Sequence, residues 1–240
     1  MSVYCLFLIF TYRFALDIFK NKYNKKTYAG ITTIFASLQT YLICDLISRA
    51  AIGELLGLTF GVLVLHGLYN LVKDDFSKPH LILLGLLGVV YSHVISAVLF
   101  CVFIIAVALI NFKKVFVKEN IKKLTIIVAL FLSISAFYLL PLVDYLISDT
   151  YLFSIPWITL KEASFTLKKA FISFNNFGIA VIVLMIFLRL LARKNSDNKK
   201  MLMLVDIEIA LMFLHIFITS NLFPWQWFGA LNFIQFPWRL

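Results

Sequence analysis

Charged residues are scarce in this sequence. Only 14% of its 240 residues are Asp, Glu, Lys or Arg, whereas 62% are hydrophobic. Because a typical soluble domain is about 25% charged and about half apolar, this composition argues against a soluble protein and predicts one that crosses a membrane repeatedly. The net charge of +10 does not indicate nucleic-acid binding, because the lysines and arginines are gathered in a few loops, as in membrane proteins.

Several motifs of enzymes and metal proteins are also missing. The three cysteines lie in apolar stretches without a C-x-x-C pair, so neither a disulfide framework nor a thiolate metal site is indicated. The four histidines have no H-x-H or H-E-x-x-H spacing, so no protein metal site is predicted. The chain also lacks a Walker loop, G-x-G-x-x-G and G-x-S-x-G, so ATPase, redox and hydrolase functions have no support.

Long apolar runs dominate the chain instead. Crossing a bilayer core of about 30 Å takes roughly 20 helical residues. Runs of suitable length lie at about 3–19, 28–47, 53–72, 81–97, 98–112, 124–147, 171–191 and 201–219. We therefore predict an all-α, polytopic transmembrane bundle of about eight membrane helices, forming a single domain over residues 1–240 in the cell membrane.

Basic loops set the expected orientation of these helices. Each of three loops carries at least four lysines or arginines, namely 20–26, 113–123 and 189–200. Positive residues concentrate on the cytoplasmic side of membrane proteins, so all three loops are expected there. As one helix, the run 81–112 would be about 48 Å long and would put the loop 73–80 and the basic loop 113–123 on opposite sides of the membrane. We therefore predict a short hairpin at 81–112 whose tip, near Tyr91–His93, faces outward.

The remaining outward segments carry aromatic and polar residues. They are the turn at 48–53, the segment 148–170 and everything after Ser220. Residues 148–170 contain Pro156–Trp157 followed by a weakly amphipathic stretch. This pattern is typical of an interfacial helix that lies along the membrane surface.

Charged residues near membrane depth are the main functional candidates. Asp45 and Arg49 are four residues apart, so on a helix they share a face, with the acid in the favourable N-terminal position. Glu54 follows Gly53, which permits a break. Ionisable groups at such positions suggest a functional site, but an ion pair that only satisfies itself at the helix end is an equal alternative.

Two further candidates lie on the predicted outer side. His93 is at the hairpin tip, either as a hydrogen-bonded packing residue or as part of a site with the three charged residues. Asp144 follows Pro141, which should kink or open the helix 124–147 toward a cavity; the alternative is a polar helix cap. Asp206 is interpreted as a structural partner of Arg189 or a neighbouring arginine, and Asp17 as a structural partner of Arg13.

Four stretches, in order along the chain, carry a resemblance to a known family: "TYLICDLISRAAIGELLGLTFGVLVLHGLYNL", "LLGLLGVVYSHVISAVL", "SAFYLLPLVDY" and "IQFPWRL". Together they resemble the bacterial 6-pyruvoyl-tetrahydropterin synthase-related integral membrane proteins. These in turn are similar to the C-type glycosyltransferases, which use polyprenyl-phosphate sugars. The resemblance covers about residue 28 to the end, and the histidine spacing gives the zinc chemistry of a pterin synthase no support.

The glycosyltransferase resemblance implies an outward-facing site in cell-envelope glycan or glycolipid assembly. It would transfer a sugar from a polyprenyl-phosphate carrier, with an acid as base for the acceptor hydroxyl. Arg49 and Arg239 are the candidates for gripping the carrier phosphate. Glu54 and Asp144 are candidates for contacting the acceptor or a divalent cation, while Asp45 and His93 complete the expected binding residues.

The sequence departs from the family pattern at both ends. The family's catalytic acid sits in an outward loop after a first membrane helix, whereas this chain begins inside a helix expected to run from outside to inside. We therefore expect a fragment that lacks that helix, its loop and the helices after "FPWR". Two rival functions are a transporter or flippase of a lipid-linked or amphipathic substrate, and a non-catalytic membrane subunit.

Overall fold

The structure is a computed structural model that describes residues 2–148, 158–172, 178–195, 199–234 and 236–237. Arg239 and the Pro156–Trp157 pair lie outside the described residues. Within those ranges the chain is helical, and its one β-pairing is an isolated bridge between Phe165 and Ser220. The all-α prediction is therefore confirmed.

The α-helices in chain order are α1 (Ser2–Ile18), α2 (Lys25–Ser37), α3 (Thr40–Ile43), α4 (Ile52–Lys73), α5 (His80–Ser92), α6 (Val94–Ile110), α7 (Phe112–Val115), α8 (Lys118–Ser148), α9 (Leu160–Ala163), α10 (Leu167–Ile172), α11 (Gly178–Asn195) and α12 (Lys199–Thr219). A π-helical turn follows α3 (Cys44–Ser48), and two 3₁₀ turns follow α12 (Trp225–Trp227 and Gly229–Ile234). The chain forms two compact units, Met1–Leu38 with Asp45–Asp149 and Gln39–Cys44 with Thr150–Leu240. We call them unit 1 and unit 2.

Glycines bring α4 and α5 of unit 1 into close contact. A methyl group on Gly67 of α4 would lie 2.9 Å from the backbone nitrogen of Ile82. One on Gly85 of α5 would lie 2.7 Å from the backbone nitrogen of Val64. Small residues permit this approach, as they do between membrane helices. Because Gly67 pairs with the start of α5 and Val64 with its middle, the two helices are antiparallel.

The predicted hairpin is present, with its break at His93. This residue has extended backbone angles, φ −157° and ψ 104°, so it ends α5 and precedes α6. A methyl group on Gly57 would lie 3.3 Å from Cβ of Ser96, and one on Gly61 would overlap the ring of Phe100. α6 therefore runs parallel to α4 and antiparallel to α5.

α1 and α2 pack beside α4. The ring centroids of Phe10 and Phe60 are 6.3 Å apart. Phe14 stacks on His66 with a centroid distance of 5.1 Å. These successive contacts make α1 parallel to α4. α2 runs back along α1, so that the hydroxyl of Tyr4 donates a hydrogen bond to the last carbonyl of α2 at 2.9 Å.

α8 lies along α5. Near its start, Lys123 Nζ donates to the carbonyl of Phe76 at 3.1 Å. Farther along, the hydroxyl of Tyr91 donates to the carbonyl of Ile134 at 2.7 Å, and its ring stacks on Phe137. Both contacts together make α8 parallel to α5.

Unit 1 therefore has two distinct ends. The turn before α4 and the tip at His93 form one, which we call the cluster end. Three loops meet at the other, the lysine end: 20–26, 73–80 and 113–123. Lys20 bonds to Asp74 at 2.5 Å, and Lys114 bonds to the carbonyl of Val72 at 2.5 Å. Loops 20–26 and 113–123, which were both expected on the cytoplasmic side, thus lie at the same end of unit 1.

Unit 2 is built around α11 and α12. Arg189 of α11 donates two hydrogen bonds to Asp206 of α12, at 2.5 and 2.8 Å. The structural role predicted for Asp206 is thus confirmed. Apolar residues of α10, α11 and α12 form its core, namely Ala170, Ile182, Met212 and Ile216.

The predicted interfacial helix at 148–170 is not one helix in its described part. A capping box of Thr159 and Glu162 starts α9, and its hydrogen bonds from Thr159 lower the pKa of the Glu162 carboxyl. The chain then extends at Phe165, whose backbone N–H and carbonyl both bond to the segment at the end of α12. These tertiary bonds take the place of helical ones, so the segment becomes the two short helices α9 and α10.

Two described helices are long and apolar enough to cross a membrane, α4 and the 118–145 part of α8. The helical segments 25–37 and 40–48 would add a third if they are one broken span. α5 and α6 are apolar but shorter. A membrane protein is thus indicated, whereas the expected number of eight spans is not confirmed.

Candidate functional site

A sharp chain reversal positions the first candidate residues. Asp45 lies in the π-helical turn Cys44–Ser48, a rare conformation that is frequent at functional sites. The backbone N–H of Ala51 donates to the carbonyl of Asp45 at 2.9 Å. Ala50 has a φ of 49°, the left-handed region that costs a non-glycine residue about 1–2 kcal/mol. This closed turn brings the carboxyl of Asp45 toward the first turn of α4.

The structure joins Asp45, Arg49 and Glu54 into what we call the charge cluster. Arg49 Nη1 donates to Asp45 Oδ1 at 2.6 Å, and Nη2 donates to Glu54 Oε2 at 2.9 Å. The side chains of Asp45 and Glu54 are 0% and 6% exposed, and that of Arg49 is 24% exposed. The pairing expected from the four-residue spacing is therefore present, and Glu54 is a second acid on the same guanidinium.

The electrostatics of the charge cluster limit what it can bind. Two carboxylates share one guanidinium, so the ionised cluster carries one net negative charge. Glu54 lies in the first turn of α4, where the helix dipole favours an anion. Because both terminal nitrogens of Arg49 already hold carboxylates, a phosphate would have to displace one of them. The geometry therefore argues against a phosphate on Arg49.

His93 lies at the same end and caps α6. Its Nδ1 accepts a hydrogen bond from the backbone N–H of Ser96 at 3.2 Å and lies 2.8 Å from Oγ of that residue. A methyl group on Gly57 would be 3.4 Å from Cβ of His93, which places the cap about one turn of α4 from Glu54. The interpretation of His93 as a hydrogen-bonded packing residue is supported, and its position beside the charge cluster is as expected.

Of the other two candidates, the structure describes only Asp144, and it does not bring that residue to the charge cluster. Asp144 is exposed on the last turns of α8, where it accepts a hydrogen bond from Ser148 Oγ at 3.0 Å. α8 continues as a helix through Pro141. Arg239 lies outside the described residues. Asp144 therefore has the polar-cap environment that was the alternative to a cavity.

A second polar network lies toward the lysine end. Asp17 Oδ2 contacts His66 Nε2 at 2.6 Å and also pairs with the ammonium of Lys78. Its partners thus come from α4 and from the loop before α5, whereas Arg13 was the expected partner. Asn70 of α4, which is buried, accepts from the backbone N–H of Lys78 at 2.8 Å and donates to Asp74 at 3.3 Å.

This network borders an open depression of about 480 Å³ that is lined by three aspartates, two lysines, Asn70 and Ser77. The hydrogen bond to Asp74 raises the pKa of Lys20. Hydrogen bonds from Ser77 lower the pKa of Asp75. The sequence held one signal for this region, because Thr59, His66 and Asn70 are spaced by seven and four residues and so share a face of α4.

Among the described residues, no group of three or more His, Cys, Asp or Glu is placed to hold a metal ion. Comparison with protein-family models, with curated proteins and with solved structures finds no match for this chain.

Proposed function

We propose that the chain is a multi-pass protein of the bacterial cytoplasmic membrane that acts on a lipid-linked sugar at the cluster end. The substrate class is a polyprenyl-phosphate sugar, and the process is cell-envelope glycan or glycolipid assembly. The observation that supports this proposal is the charge cluster, two buried carboxylates on one guanidinium beside the hairpin tip. The ordered motifs that resemble C-type glycosyltransferases provide the reaction class.

In this proposal the residues of the charge cluster have different roles. Glu54 is our candidate for accepting the proton of a sugar hydroxyl, in place of the family's catalytic acid that this chain is expected to lack, because a carboxylate that can hydrogen-bond to the hydroxyl can serve as a base. Arg49 is a positioning residue that fixes both acids. A divalent cation would need substrate oxygens to complete its coordination, since Mg²⁺ is commonly held by one or two carboxylates and substrate phosphates.

Sugar transfer in a reconstituted membrane tests this proposal. The protein is placed in nanodiscs with radiolabelled polyprenyl-phosphate glucose or mannose, and label is followed into other lipids or water. We expect Glu54→Gln to lower the rate about 100-fold or more, since a lost acid–base group costs 10²–10⁴-fold. The matched variant Glu119→Gln changes an exposed acid on α8 and should retain the rate. No transfer by the wild type, or equal rates in both variants, would refute the proposal.

A transporter or flippase is the second candidate, and one observation favours it. Polar side chains are buried along most of α4, from Glu54 through Thr59 and His66 to Asn70. Such a series reaches from the cluster end toward the lysine end, as expected for a path through a membrane. Fluorescent polyprenyl-phosphate analogues in proteoliposomes would distinguish the candidates, because a flippase moves them between leaflets without cleaving the sugar.

A further inference from the structure

A groove at the lysine end combines charge with apolar surface. It has a volume of about 450 Å³ and lies between the end of α4, the end of α6 and the short helix α7. Three lysines line it, Lys73, Lys113 and Lys114, and no acidic residue does. Lys114 Nζ is held by the carbonyl of Val72 at 2.5 Å. In the part of the chain that the structure describes, Lys73 and Lys113 form no ion pair.

Large apolar side chains form the rest of the groove. Ile110 is 82% exposed and Phe112 is 56% exposed. The ring of Phe112 packs on that of Phe116 with a centroid distance of 4.4 Å and an angle of 30° between the ring planes, so the two rings extend the apolar wall on that side. The lysines of the groove thus lie beside exposed apolar surface.

We propose that this groove binds one anionic phospholipid. Lys73 and Lys113 hold the headgroup phosphate, and an acyl chain lies over Ile110 and Phe112. Charge complementarity supports a lipid as the occupant, because basic pockets between helix ends bind anionic headgroups. The apolar wall distinguishes a lipid from a free phosphate, which would have no use for it. This inference is independent of the proposed function, whose site lies at the opposite end of unit 1.

Lipid retention by the purified 240-residue chain tests the proposal. Delipidated protein in nonionic detergent is titrated with phosphatidylglycerol or phosphatidylcholine, and bound lipid is counted by native mass spectrometry alongside the unfolding temperature. The double variant Lys73→Gln/Lys113→Gln removes the headgroup contacts. Its matched control, Lys118→Gln/Lys122→Gln, removes the same charge from exposed sites on α8 at the same end.

We expect one tightly retained phosphatidylglycerol and weaker retention of phosphatidylcholine. The groove variant should weaken phosphatidylglycerol retention on the order of tenfold, from the loss of two lysine contacts, while the control should retain it. Equal weakening in both variants would overturn the proposal in favour of general surface charge. Competition by soluble glycerol phosphate at similar concentration would overturn it too, because a headgroup alone would then account for binding. Unfolding temperatures without lipid report whether both variants fold.

Discussion

α4 and α8 both have the length and composition of a membrane-crossing helix, but their surroundings differ. Of the most apolar 18-residue stretch of each, 67% is buried within the protein in α4 and 11% in α8. α8 shows outward isoleucine, leucine, valine and phenylalanine side chains along its length. Although their lengths and compositions are similar, α4 is enclosed by its neighbours, whereas α8 is largely exposed on the surface of the protein.

Polar residues follow this division. α4 buries Glu54, Thr59, His66 and Asn70, and each has a partner within unit 1: the hydroxyl of Thr59, for example, donates to the carbonyl of Leu55 at 2.8 Å. A buried polar group is costly unless it is hydrogen-bonded. The partners of Glu54, His66 and Asn70 come from the turn before α4, from α1 and from the loop before α5. These enclosing segments allow α4, unlike the exposed α8, to carry the candidate site.

Removing the cation of the charge cluster should have the largest effect on stability. Arg49→Gln leaves the carboxylates of Asp45 and Glu54 buried together without their shared guanidinium. Breaking such a pair costs about 3–5 kcal/mol of unfolding free energy, and the partial exposure of Arg49 favours the lower value. Lys122→Gln removes the same charge from an exposed site on α8 and should cost less than about 0.5 kcal/mol. Denaturation in detergent micelles measures both, and equal losses would contradict the distinction between the helices.

Charge on the outward face of α8 should have the next largest effect. Leu132 is 54% exposed and lies near the middle of the 118–145 stretch. Leu132→Lys should raise the free energy of membrane insertion by about 3 kcal/mol if this face contacts lipid, whereas Leu132→Ala should change it much less. The measurement is the inserted fraction of α8 within the whole protein, read from glycosylation sites placed on either side of the helix. Unchanged insertion of the lysine variant would mean that this face does not meet lipid.

Local patterns in the sequence were sufficient for part of this architecture. The four-residue spacing of Asp45 and Arg49 gave their ion pair, and the basic loops around 81–112 required the break that the structure places at His93. The first inference depends only on residues that are close in the chain. The second depends only on the fact that each membrane crossing moves the next loop to the other side. They needed no knowledge of which helices touch.

Long-range partners account for what the sequence did not reveal. Asp17 pairs with His66 and Lys78, which lie 49 and 61 residues away, so its nearer neighbour Arg13 was the wrong guide. An interfacial helix was expected within the segment 148–170, but backbone hydrogen bonds from Phe165 to the end of α12 divide its described part into two short helices. The enclosure of α4 likewise depends on glycines, which let the neighbouring helices approach closely. The hydrophobicity pattern of the sequence does not show which helix approaches at a given glycine.

The closeness of α4 and α5 provides the test with the smallest expected effect, because the same glycine-to-alanine substitution should lower stability at one position and not at another. A methyl group on Gly85 would lie 2.7 Å from the nitrogen of Val64 and 3.0 Å from the carbonyl oxygen of Phe60. Both are main-chain atoms of α4, so the helices must separate, at a cost of about 1–3 kcal/mol. Alanine regains about 1 kcal/mol of helix propensity, which leaves Gly85→Ala with a net loss of about 1 kcal/mol.

A methyl group on Gly30 in α2 meets nothing within 4 Å, so Gly30→Ala should be neutral or stabilising. Unfolding temperatures of the two variants decide the matter: if both rise, α4 and α5 are farther apart than the structure places them, and α4 loses the enclosure that sets it apart from α8.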